Sequence, residues 1–242
     1  MSDFVTALVE RLRSVATPAR AETEKRYLKS DLEFLGATVW QIRAAVRDLS
    51  AGQAIDHGGL VELVDELWSE PVHERRMAAV VVLDRFARLL TGDDLALLER
   101  LVRESRTWAL VDALAGDVIG RLVEADPSGV SPHLDRWSAD ADFWVRRASL
   151  LAELRPIRHG APLDRFLARA EGMLEEKEFF IRKAIGWVLR EAGKKRPDEV
   201  AAWLAARTHR ASGVTMREAV KYLPRADSDR LMAAYREHRP AT

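Results

Sequence analysis

Asp112 follows Trp108 by four residues, so a carboxylate and an indole fall one turn apart on the same side of any helix that runs through them. Related pairings recur downstream. Trp144 precedes Arg147 by three residues, Phe180 precedes Lys183 by three, and Trp187 follows Lys183 by four, with Arg146 and Arg182 alongside. A carboxylate beside an aromatic face and flanked by cations suits a reaction that builds positive charge on a sugar. Cleavage of an N-glycosidic bond is such a reaction. The carboxylate stabilises the charge and orients water toward the anomeric carbon. The aromatic face contributes about 0.5–2 kcal/mol through its quadrupole. Arginine and lysine hold the flanking phosphates. A base that is already cationic needs no general acid to leave. The same columns equally suit a structural use, in which Arg and Asp form ion-pair ladders between repeats and tryptophans fill the gaps.

Other chemistries find little support. There are no cysteines, which removes disulfides, thiolate metal sites, iron–sulfur clusters and a cysteine nucleophile. The six histidines, at 57, 73, 133, 159, 209 and 238, show no ligand spacing, so no metal site is expected. Gly58-Gly59 lacks the context of a phosphate loop, and no serine sits in a nucleophile elbow. Lys183 lacks the desolvating surroundings a Schiff-base lysine needs, so a phosphate contact is expected of it. The formal net charge is 0, yet residues 143–222 hold 17 Lys+Arg against 10 Asp+Glu. A polyanion would meet that half first. No apolar run approaches the ~18 residues of a membrane span, and the opening Met-Ser-Asp-Phe-Val is no secretory signal. With the missing cysteines, this predicts a cytoplasmic protein that engages no membrane.

The elements that must position these residues are helical. Of the 242 residues, 48% are hydrophobic and 31% charged, the balance of a globular chain. Segments of helical period are broken at Gly58-Gly59, Glu70-Pro71, Asp126-Pro127-Ser128-Gly129, Gly160-Ala161-Pro162, Gly193, Ser212-Gly213 and Leu223-Pro224. Ser131-Pro132 and Arg196-Pro197 read as helix starts. About a dozen helices and no sheet are predicted.

The pattern repeats. Segments ending in Ala78, Ala113, Ala148, Ala184 and Ala219 align, at spacings of 35, 35, 36 and 35, and Trp40-Gln41-Ile42-Arg43-Ala44 is a weaker sixth copy. That period is two antiparallel helices plus turns, with a small residue where neighbours approach. The prediction is an all-α solenoid of HEAT-like repeats, a single domain over 1–242 of about six helix pairs, with a concave face. In this register Asp112, Arg147 and Lys183 occupy one column, expected to line one surface.

The segments Tyr27-Leu28-Lys29, Phe34-Leu35-Gly36, Trp108-Ala109-Leu110-Val111-Asp112, Phe143-Trp144-Val145-Arg146-Arg147-Ala148 and residues 179–191 resemble the bacterial DNA alkylation repair family of AlkD-type DNA glycosylases. The resemblance runs from about Tyr27 to about Tyr222. It implies a monofunctional, cofactor-free enzyme. The reaction would release cationic N3- and N7-alkylated purines from double-stranded DNA without enclosing the base in a deep pocket. By position, Asp112 matches the family's catalytic carboxylate and Trp108 the aromatic against the deoxyribose. Arg147 matches the catalytic-site arginine, with Arg146 beside it as the alternative. Trp187 and Tyr27 match aromatics near the lesion. Arg43, Arg146, Arg182, Lys183 and Arg190 are expected to contact DNA. The chain departs from the family at Glu33 and over Ala37–Trp40, where prolines are usual. A monomer is expected. The alternatives are a catalytically silent DNA-binding relative, or a scaffold that binds proteins.

Overall fold

The computed structural model of the protein describes residues 2–238. Among them are sixteen α-helices and no β-strand, with one isolated bridge between Glu33 and Val72. The chain divides into two compact units that meet in sequence at Val118 and Ile119. In each, helix pairs stack side by side in the manner of an all-α solenoid.

The first unit holds α1 (Ser2–Val15), α2 (Pro18–Leu28), α3 (Val39–Leu49), α4 (His57–Trp68), α5 (His73–Arg85), α6 (Leu95–Glu104) and α7 (Trp108–Ala113). Helices α1, α3, α5 and α7 pack in series, and α4 backs α5. A π-helix, Leu114–Ile119, follows α7. The second unit holds α8 (Gly120–Ala125), α9 (Pro127–Ser138), α10 (Phe143–Leu151), α11 (Leu154–Arg158), α12 (Asp164–Met173), α13 (Phe179–Gly193), α14 (Pro197–Ala205), α15 (Gly213–Ala219) and α16 (Arg225–Glu237). Here α10, α13 and α15 form one layer, and α9 and α12 pack together behind α10.

Some of the sequence breaks adjoin helix caps, while Gly58-Gly59 lies within α4 and Gly193 is the last residue of α13. Asp56 and Asp126 each accept a hydrogen bond of 2.8 Å from the amide three residues on, at Gly59 and Gly129. Thr38 and Gln41 make a reciprocal capping box at the start of α3. Arg196-Pro197 opens a helix as expected, with the proline in the first turn of α14. Ser131-Pro132 does not. The Asp126 cap and Pro127 start α9 earlier and leave Pro132 inside it. Its ring costs one backbone bond, and the buried Val130, Leu134 and Trp137 hold the helix together around it.

The repeat spacing has a packing cause. Ala78, Ala148, Ala184 and Ala219 are fully buried, while Ala113 is half-buried. Where α13 meets α15 the backbones come closer still: a Cβ on Gly186 would lie 2.7 Å from the Glu218 Cβ and 2.9 Å from the Thr215 carbonyl oxygen.

The segment between α2 and α3 is pinned to α5. The fully buried Glu74 carboxylate accepts the amides of Leu35 at 2.9 Å, Gly36 at 2.6 Å and Ala37 at 3.2 Å. Glu33 accepts the His73 amide at 2.8 Å and donates its own to the Pro71 carbonyl at 2.8 Å. Gly36 has φ +95°, and a Cβ there would sit 2.2 Å from the Thr17 carbonyl oxygen. Gly36→Ala should therefore destabilise the fold by about 2–4 kcal/mol, seen as a lower midpoint in thermal unfolding. An unchanged midpoint would show that the loop relaxes.

His73 is buried with its ring stacked on Phe34, centroids 4.9 Å apart, and Nδ1 has no hydrogen-bond partner. Burial pushes its pKa below the usual histidine value, against the opposing pull of Glu74. The unfolded chain thus takes up this proton at a higher pH than the native one. Stability from the neutral ring is present above about pH 6.5 and falls as pH drops below it. Urea unfolding of wild type at pH 7.5 and 5.5 should show this loss. His73→Phe should lessen it.

Candidate functional site

Helix α7 carries the first group. Its N-cap Thr107 is buried, with Oγ1 accepting the Ala109 amide at 3.4 Å. That cap sets the helix direction. Trp108 then falls in the first turn and Asp112 one turn later, both half-buried. Tyr27, in the last turn of α2 and 70% exposed, meets the Trp108 ring edge-on, with centroids 5.6 Å apart and planes at 84°. A carboxylate, an indole and a phenol thus come from two helices that the sequence separates by about eighty residues. Arg43 on α3 is exposed and pairs with Asp117 at 3.2 Å and Asp84 at 3.5 Å. The guanidinium therefore ties α3 to α5 and to the π-helix.

In the second unit the predicted cations are engaged with protein. Arg147 is 3% exposed, donates to the Phe180 carbonyl and lies 5.7 Å from the Phe180 ring centroid. Arg146 pairs with Glu176 at 2.9 Å and donates to the Asp140 and Ala141 carbonyls. Arg182 donates to the Glu176 carbonyl at 2.6 Å. Lys183 and Arg190 both bind Glu218, as does Lys221 at 3.1 Å. Burial raises the Glu218 pKa, but hydrogen bonds from Lys183 and Lys221 and the charge of Arg190 outweigh it and hold the carboxyl below its usual range. The cluster of three cations around one carboxylate keeps a positive excess, and the Lys183 side chain is 41% exposed. Trp187, one turn from Lys183, is half-buried, and its indole N–H finds no acceptor.

The structure thus brings Tyr27 to Trp108, one turn from Asp112 on α7, and gathers Lys183 and Arg190 at Glu218. It places Arg146 and Arg182 at Glu176, with Arg147 packed beneath Phe180. Trp144 stacks at a tilt on Phe143 and Phe180, with centroids 4.3 and 4.8 Å away, while Phe179 is exposed. No residue spacing signals the Glu74 clamp on the loop after Tyr27, because its acceptors and donors are about forty residues apart. Nothing in the local sequence marks the π-helix either. Among the described residues no group of three His, Cys, Asp or Glu side chains could hold a metal ion, and no helix is long and apolar enough to cross a membrane.

No curated protein matches the chain in sequence. Solved structures do match it in fold. A predicted DNA alkylation repair enzyme from Enterococcus faecalis superposes with a TM-score of 0.79 at 21% identity, over 87% of this chain and 97% of that one. AlkD2 from Streptococcus mutans gives 0.63 at 18% identity, over 84% and 99%. The protein smu.31 from Streptococcus mutans UA159 gives 0.61 at 18%, over 85% and 98%. The sequence profile of the family described as DNA alkylation repair enzyme matches residues 8–223, nearly the whole length. On that match, the chain belongs to the DNA alkylation repair enzyme family.

Proposed function

We propose that this protein is a monofunctional DNA glycosylase that hydrolyses the N-glycosidic bond of cationic N3- and N7-alkylated purines in duplex DNA. The observation that carries the reading is the α7 group: Trp108 and Asp112 one turn apart, with Tyr27 edge-on to the indole at 5.6 Å. Family membership supports the repair role, and the group supplies a chemistry for it.

In the proposed reaction the sugar–base bond breaks with its electron pair going to the purine, which leaves neutral. Positive charge remains on the deoxyribose ring. The Asp112 carboxylate stabilises that charge and orients the water that adds to the anomeric carbon, and the water's proton passes to solvent. Trp108 faces the sugar with a π-surface that favours a cation. The positive excess around Glu218, with Lys183 and Lys221 partly exposed, suits backbone phosphates. A base already made cationic by alkylation needs no proton donor to leave, which suits this class of substrate.

A second reading has an observation of its own. Arg147 is buried and bonded to the Phe180 carbonyl, an arrangement that also suits a catalytically silent DNA-binding member. Release of 7-methylguanine and 3-methyladenine from methylated duplex DNA separates the two. We expect release by wild type, and a loss on the order of 10²-fold or more in Asp112→Asn. Wild-type rates in that variant would remove Asp112 from the mechanism, and no release by wild type alongside tight duplex binding would favour the silent member. Lys183→Gln should flatten the slope of log affinity against log salt by about 0.9, one phosphate contact. An unchanged slope would place Lys183 off the DNA.

A further inference from the structure

Among the described residues, two that are not glycine have positive φ: Lys29 at 50° and Arg106 at 54°. Side chains with a Cβ are disfavoured there, and such conformations persist where surrounding structure imposes them. Both flank the aromatic pair. Lys29 follows Tyr27 by two residues, and Arg106 precedes Trp108 by two. Lys29 ends α2, its amide returning to the Lys25 carbonyl at 3.0 Å. Arg106 turns the chain from α6 into Thr107, the cap of α7. The two reversals are joined directly, because the Arg106 guanidinium donates to Asp31 Oδ2 at 2.9 Å.

The surroundings favour that direction. Arg76, buried beneath, donates to the Glu104 carbonyl on the α6 side of the turn. The Arg106 charge opposes that of Arg76, and the Glu104 and Asp31 carboxylates offset it. Both members of the pair are largely exposed, with side chains 52% and 68% accessible, so the contact adds little to stability. It is a direct link between the segment after the α2 C-terminus and the turn before α7.

We propose that the Arg106–Asp31 ion pair is a positioning device for the α7 group, holding the two chain reversals together so that Tyr27 stands edge-on against Trp108. Arg106 and Asp31 are positioning residues, and their consequence for catalysis rests on the glycosylase reading above.

The test uses the full-length protein with 3-fluorotyrosine at its three tyrosines. The Tyr27 resonance is assigned by its loss in Tyr27→Phe, and the Trp108 ring current by Trp108→Leu. We expect Arg106→Gln and Asp31→Asn each to move the Tyr27 fluorine resonance in the direction Trp108→Leu moves it, with the other two resonances and the thermal midpoint unchanged. Arg106→Lys, which keeps the charge, should restore part of the shift. Base release should fall about tenfold in Arg106→Gln, the scale of a misplaced contact near the chemistry. Tyr27→Ala combined with Arg106→Gln should be no slower than Tyr27→Ala alone. A fixed Tyr27 resonance in both single variants overturns the proposal. So do losses that multiply in the double variant, since Arg106 would then act on DNA by itself. Should wild type release no base, the glycosylase reading fails while the fluorine resonance still decides the positioning role.

Discussion

Neighbouring helices in this protein bury small residues where they pack, and much else follows from that. At Gly186 a single added carbon would meet Glu218 at 2.7 Å. Several residues flanking the buried alanines then face the next helix rather than solvent. Met77, Arg147 and Glu218 each stand one position before such an alanine and are all buried. Asp112 and Lys183 hold the same place in the repeat register and are half-exposed. The column is thus an interior seam in some repeats and an accessible position in others. Ala113 is itself half-buried, so packing around Asp112 is looser than around its counterparts.

Close packing also decides what the cations do. A charged side chain at a helix crossing is partly desolvated and must find a counter-charge or a carbonyl. Arg147 reaches the Phe180 carbonyl, Arg146 reaches Glu176 and Lys183 reaches Glu218, each about one repeat further along. Arg155 returns to Glu124 and Arg207 to Glu171 in the same manner. These bonds stitch helix pairs together, so an arginine in such a column has a structural task before any contact with DNA. Where several cations share one carboxylate, as at Glu218, a positive excess remains, and the proposed function assigns it to the phosphates.

The carboxylate and its aromatics rest on a different device. Tyr27 sits at the end of a helix whose following loop is held by the Glu74 carboxylate, by the bridge between Glu33 and Val72, and by Asp31. Buried acceptors that take backbone amides are costly to leave empty, which makes this loop stiff without a strand or a disulfide. The proposed reaction depends on a face and a charge being in place before the sugar becomes cationic, and such stiffness suits it.

Much of the architecture was legible in the residues. The recurrence of alanine every thirty-five or so positions reports a packing distance, and packing distances are met locally, by residue size. Capping residues and turn glycines mark helix ends for the same reason, since their hydrogen bonds reach only a few residues. The pairing of Trp108 with Asp112 needed only helical periodicity. Tertiary structure alone decided the rest: that Tyr27 lies against Trp108, that Glu74 holds a loop about forty residues away, and that Arg147 is buried. It also decided that Pro132 sits inside a helix whose start the Asp126 cap had already set. Those outcomes depend on which distant groups share a desolvated space. Their energies come from burial and pairing across the fold, which no window of neighbouring residues contains.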